Sequence, residues 1–166
     1  MQDGKKNVVL IQGVVDESLF DLLKDRGEGN VYILEGRPKL RAANVLSRQL
    51  NTRKITPTSI ADNMAGFLFK KKLVKEVWLS YQSADTTGAM CDIGALILGV
   101  LGKRHDIPIY LYPGSEKNNF MGLQKDILNF NGVRVAPPGV KGYVPLMEWV
   151  PAKYFSKVYT NGCRGS

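Results

Sequence analysis

The chain has 166 residues, 44% of them hydrophobic and 23% charged, with a formal net charge of +8. That length suits one domain, residues 1–166, burying about 70% of its unfolded-chain surface, and the composition excludes a disordered chain. The longest apolar run, Ile93 to Leu101, is about half the roughly 20 residues a bilayer span needs, so no membrane partner is expected, and the polar start from Met1 to Asn7 gives no signal peptide.

In chain order, Asn7 to Ile11 is a continuous apolar run of the kind found in a sheet covered on both faces, and it predicts a central strand. Asp16 can cap a helix with Leu19, Phe20, Leu22 and Leu23 on its apolar side, stopped by Gly27 and Gly29. A second strand follows at Val31 to Leu34. After a turn at Gly36 to Pro38, a helix from Leu40 to Leu50 buries Ala43, Leu46 and Leu50 and leaves Arg41 and Arg48 on another side. Ile55 centres a short strand. Asp62 opens a helix with Met64, Phe67 and Leu68 inward, and Val77 to Leu79 forms the next strand. A helix from Asp92 to Arg104 carries Ile93, Ile97 and Leu101, with Gly94 and Gly99 closing on the sheet, before a buried strand at Ile107 to Leu111. From Gly114 to Phe130 the chain is less regular, and Val133 to Val144 is turn-rich. This tail is expected to wrap an edge of the sheet or a dimer partner.

Strands alternating with helices at this spacing define an α/β, Rossmann-like fold: a mostly parallel sheet with helices on both faces and an irregular C-terminal tail. Ligands of such sheets bind outside the carboxyl ends of the strands. The segments Gln12–Asp16, Glu35–Lys39, Asp62–Asn63, Ser80–Gly88 and Pro113–Glu116 should therefore share one rim. The positive charge invites a nucleic-acid reading. However, Lys70, Lys71 and Lys72 end a helical segment, where cations meet the negative pole of the helix dipole, so nucleic acid is the lesser alternative, resting on Arg41, Arg48, Arg53 and Lys54. Two cysteines without metal spacing, Cys91 and Cys163, fit a reducing cytoplasm. A single histidine, His105, near a helix end reads as structural, with no second histidine for a metal pair.

Glu35, Arg37 and Pro38 in the turn after a strand, Asp62-Asn63-Met64 at a helix start, Ile93-Gly94, Ile107-Pro108, the stretch from Val133 to Pro145 (VRVAPPGVKGYVP) and Pro151-Ala152-Lys153-Tyr154 occur in this order. With this signature the chain resembles the family uniting methylthioribose-1-phosphate isomerase, ribose-1,5-bisphosphate isomerase and the regulatory subunits of eukaryotic translation initiation factor 2B. The resemblance covers the family's C-terminal Rossmann-like domain and not its helical N-terminal domain. It implies aldose-to-ketose conversion of a sugar phosphate, which needs a group that gives and takes a proton, with no cofactor. In the family these groups are a Cys after the first strand and an Asp after the strand matching Val77 to Leu79. Here the first position falls at about Gly13 and the second at Gln82, which hydrogen-bonds but does not titrate. A phosphate-binding Asn-Lys pair matches Cys91 and Asp92, and a phosphate-contacting Gln matches Arg41, whose guanidinium binds phosphate in bidentate fashion.

The expected ligand set is Gly13, Glu35, Arg37, Arg41, Asp62, Asn63, Tyr81 and Gln82, around a phosphorylated small molecule in a homodimer. Glu35 and Arg37 read equally as a turn salt bridge, and Asp62 as an N-cap. Asp85, Asp92 and Gln82 are the catalytic candidates. Asp85 in Asp85-Thr86-Thr87-Gly88 also reads as a simple turn residue, and Asp92 as a dipole-capping acid that disfavours bound phosphate. Cys91 is either a reactive thiol near a helix start or a small buried packer. The resulting expectation is a phosphorylated-sugar or nucleotide binding protein without the isomerisation. The alternatives are an isomerase of altered mechanism and a protein or RNA interaction module.

Overall fold

The computed structural model describes residues 6–160; Cys163 and the first five residues lie outside them. Six strands run parallel: β1 (Val8–Gln12), β2 (Val31–Leu34), β3 (Thr58–Ile60), β4 (Val74–Ala84), β6 (Ile109–Pro113) and β10 (Lys157–Val158), in the spatial order β3-β2-β1-β4-β6-β10. Chain order thus reverses between β1 and β4, which opens a crevice at their carboxyl ends. Two antiparallel strands, β5 (Gly88–Asp92) and β9 (Met147–Pro151), extend the far half of β4 beyond the parallel sheet.

Alternation along the strands sends side chains to two cores. Val9, Ile11, Val31, Ile33 and Trp78 pack with Phe20 and Leu23 of α1 (Leu19–Asp25) and Ala42, Leu46 and Leu50 of α2 (Arg41–Thr52). On the opposite face Leu10, Leu34, Val77, Leu79, Ile109 and Leu111 pack with Ala65, Leu68 and Phe69 of α3 (Ala65–Lys70) and Ala95 and Leu98 of α4 (Ala95–His105).

Several local expectations shift. Asp16 accepts the Ser18 N–H at 2.9 Å, in the turn before α1 rather than as its cap. Ala42 replaces Ala43 on the buried stripe of α2, and Ile55 sits buried in a loop ahead of β3. Met64 and Phe67 are exposed, because a 3-10 turn over Asp62–Met64 precedes α3 and advances its phase. Ile97 is 65% exposed, and α4 starts three residues after Asp92. Gly99 packs against Tyr154, while Gly102 is the glycine that lets β6 approach, through Ile109. The tail is more regular than expected. It forms a short α5 (Gln124–Leu128), a two-stranded ribbon of β7 (Asn129–Phe130) and β8 (Val133–Arg134), then β9, and β10 covers the edge of β6. His105 closes α4 with its ring 5.7 Å from that of Phe69.

Candidate functional site

A cleft of about 540 Å³, its open mouth included, lies over the carboxyl end of β1, beside the point where chain order reverses. Gln12, Gly13 and Val14 form its floor, Gly36 to Lys39 with Arg41 and Ala42 one wall, and Asp92, Ile93, Glu116, Asn118 and Leu146 the other. A contiguous recess sharing Asp92, Glu116 and Asn118 extends it to Ser80, Tyr81 and Gln82. Of the expected rim, the segments around Asp62 and Asp85 do not line the cleft. Ser80 to Ala84 continue β4, so Asp85 sits at the exposed tip of the β4–β5 hairpin, where it accepts the N–H and hydroxyl of Thr87. Those bonds hold its carboxyl below the ordinary value, and its place outside the cleft fits the turn reading.

The floor favours glycine. Gly13 has φ +77°, and a Cβ built there would lie 1.9 Å from Ser80 Oγ and 2.6 Å from Asp92 Oδ2. Asp92 itself ends β5. Its Oδ1 accepts from Asn118 Nδ2 at 2.8 Å and Ser80 Oγ approaches Oδ2 at 3.5 Å. Burial raises its pKa, these two bonds partly oppose the shift, and the charge of Glu116 adds to it. Asp92 does not take the α4 dipole. Glu148 of β9 does so, accepting the N–H groups of Gly94 at 2.7 Å and Leu96 at 3.0 Å.

The other candidates divide into cleft walls and supports. Asp62 neither caps a helix nor faces the cleft: its two oxygens accept Gly36 N–H at 2.9 Å and Arg37 N–H at 2.7 Å, pinning the wall loop to the end of β3. Glu35, raised by burial and by Asp62, pairs with no cation among the described residues, so the turn salt bridge with Arg37 does not form. Arg37 donates instead to the carbonyls of Ile127 and Asn129, both at 3.3 Å, and stacks over Phe130, tying the tail to the wall. Asn63 is exposed outside the cleft lining. Tyr81 donates to the Tyr159 carbonyl at 2.6 Å, and Gln82 Oε1 accepts Asn118 N–H at 2.9 Å, so both hold backbone. Cys91 is the buried packer: burial, then Asp92 and Glu148, push its thiol up to about 12.

Arg41 points from the first turn of α2 to Glu116 across the cleft. No side chain caps this helix and its first turn holds no acid, so its positive pole is open to the cleft, with Lys39 exposed beside it. Asn118 and Glu148 were not singled out from sequence, and Gln12 and Glu116 entered only as ends of expected rim segments. Gln12 is 6% exposed, donates to the Ile93 carbonyl at 2.8 Å and leaves Oε1 without a partner among the described residues. Its position at the end of β1, beside the reversal point, was a usable signal. Glu116 carried the same signal after β6, and for Asn118 and Glu148 the linear sequence carried none.

Fold and cleft define a Rossmann-like α/β domain with a crevice at its topological switch point. Residues 8–162 match the model of the initiation factor 2 subunit family, and the chain belongs to that family. It is 31% identical over 142 residues to methylthioribose-1-phosphate isomerase of Syntrophus aciditrophicus, covering 78% of this chain and 39% of that one. Against the Caldicellulosiruptor saccharolyticus enzyme of the same name the identity is 30%, over 89% and 46%. The crystal structure of translation initiation factor eIF-2B subunit delta from A. fulgidus superposes with TM-score 0.82 at 20% identity, covering 95% of this chain and 52% of that chain. The Pyrococcus horikoshii 5-methylthioribose 1-phosphate isomerase gives the same score and identity, over 95% and 50%. The chain thus spans about half the length of these relatives or less. Among the described residues no helix is long and apolar enough to cross a membrane.

Proposed function

We propose that the cleft binds a phosphorylated sugar or nucleotide, with the phosphate at Lys39, Arg41 and the open N-terminus of α2, and that it does not carry out the family's isomerisation. The observation that carries the reading is the uncapped helix pole with two cations beside it in a switch-point cleft. Three features support a non-catalytic site. A thiol-bearing side chain at position 13 would be strained and would crowd Ser80, the Cys91 thiol is held protonated, and Gln82 is engaged with backbone. The reading is of a cytoplasmic homodimer. Sparse cysteine usage supports the compartment, and exposed Phe120, Met121, Leu123, Val133 and Tyr143 support the assembly. Titration calorimetry with methylthioribose-1-phosphate, ribose-1,5-bisphosphate and nucleoside monophosphates tests it: at least one should bind, and Arg41→Ala should weaken that binding about tenfold or more. Binding of none removes the proposal.

A second reading, an aldose-ketose isomerase of altered mechanism, draws on Asp92, a carboxyl in the cleft whose raised pKa suits proton transfer, and on the isomerase names of the relatives. A coupled isomerase assay decides between the two. Turnover abolished by Asp92→Ala but not by Asp85→Ala favours the enzyme, and no turnover by the unaltered protein favours the binding protein.

A further inference from the structure

The phosphate position proposed above is not vacant of charge. Arg41 Nη2 already pairs with a carboxylate, that of Glu116, in the segment between β6 and α5 that crosses the cleft mouth. This segment is fastened on both sides of Glu116. Gly114 N–H donates to the Tyr81 carbonyl at 2.8 Å and Ser115 N–H to the Val14 carbonyl at 3.0 Å, while Asn118 holds Gln82 and Asp92. The backbone is therefore fixed, and the side chain of Glu116 is the part that can leave. Its pair with Arg41 is loosely held, the two side chains being 29% and 54% exposed, and a pair so exposed contributes little to stability.

A phosphate cannot simply join this arrangement. Glu116 and Asp92 face the same cleft, so an added dianion would meet the Glu116 carboxylate already on Arg41, with a second acid nearby. We infer that Glu116 is an internal competitor for the anion site, its carboxylate occupying Arg41 in the free protein and swinging out when a phosphate enters. The inference rests on the phosphate reading of the cleft. It adds that affinity is set by an exchange of anions on Arg41, and is lowered by the fraction of molecules in which Glu116 holds it.

The test is calorimetric titration of ribose 5-phosphate and inorganic phosphate into the full chain and its Glu116→Gln and Glu116→Asp variants at low ionic strength. Glu116→Gln removes the competitor and should tighten ribose 5-phosphate about fivefold or more. Glu116→Asp keeps the charge but shortens its reach by one methylene, and should tighten binding about twofold. Unchanged or weaker binding by Glu116→Gln overturns the inference while leaving the phosphate site intact. So does a Glu116→Asp variant that matches the unaltered protein while Glu116→Gln tightens, because the effect is then a diffuse field and not occupancy of Arg41. Failure of both probes to bind any of the three proteins removes the phosphate reading, and the competitor with it.

Discussion

Glu76 and Asp92 are both acids drawn into the interior of this fold, and they keep opposite company. Glu76, near the start of β4 and 5% exposed, receives both Nη groups of Arg26 at 3.0 Å and the Trp78 indole N–H at 2.8 Å. Asp92, at the carboxyl end of the sheet, has one amide donor, one long hydroxyl contact and a second acid nearby, and no cation reaches it among the described residues. Here the buried acid in the scaffold is neutralised by its neighbours, whereas the one facing the crevice is left with capacity to spare. The amino end of the sheet is thus closed by satisfied chemistry, and the carboxyl end is held open.

The largest effect should come from breaking the satisfied end. Arg26→Ala strips the counter-ion from a buried carboxylate and should cost about 3 kcal/mol in urea unfolding. Part of Arg26 is solvent-exposed, and a loss under about 1 kcal/mol would class the cluster with ordinary surface pairs and erase the contrast with Asp92.

Next in size is Gly13→Cys, which restores the thiol that the family resemblance expects at the floor of the cleft. The new Cβ meets Ser80 at a backbone φ of +77°, so a loss of about 2 kcal/mol is expected, less if Ser80 rotates away. Isomerase activity gained without loss of stability would show the floor to be roomier than its geometry, and would return the cleft to the catalytic reading.

The legible parts of this molecule are those whose signal is local. Asn7 to Ile11 announces a central strand because both its faces are covered, Val31 to Leu34 follows as a second strand, and the alternation of strands and helices predicted most of the segments that meet at the crevice. The buried face of α4 was illegible for a definite reason. Ala95, Leu96, Ile97, Leu98, Val100 and Leu101 make it apolar nearly all round, and the face it buries is marked by Gly99 and Gly102, small residues that a search for large apolar side chains passes over. In the site, Gly13, Arg41 and Asp92 were found because the family resemblance matched them to its motif positions. Asn118 and Glu148 were not, since each acts across more than twenty residues of intervening chain, on Asp92 and on the start of α4.

The smallest effect has the opposite sign and tests the open end. Burial lifts the native pKa of Asp92 above its ordinary value of 3.8, so between those two values the folded state binds more protons than the unfolded state. Stability contributed by the neutral acid is therefore fully present below the ordinary value and is lost as pH rises toward the native one. Asp92→Asn keeps the oxygen that accepts from Asn118 and gives Ser80 a donor, without a charge to desolvate. It should raise the melting temperature at pH 7 and leave it nearly unchanged at pH 3, where the native Asp92 is already neutral. A variant less stable than the parent at pH 7 would mean that the carboxylate is held by attractions as good as those around Glu76, and the crevice would then be as closed as the other end of the sheet.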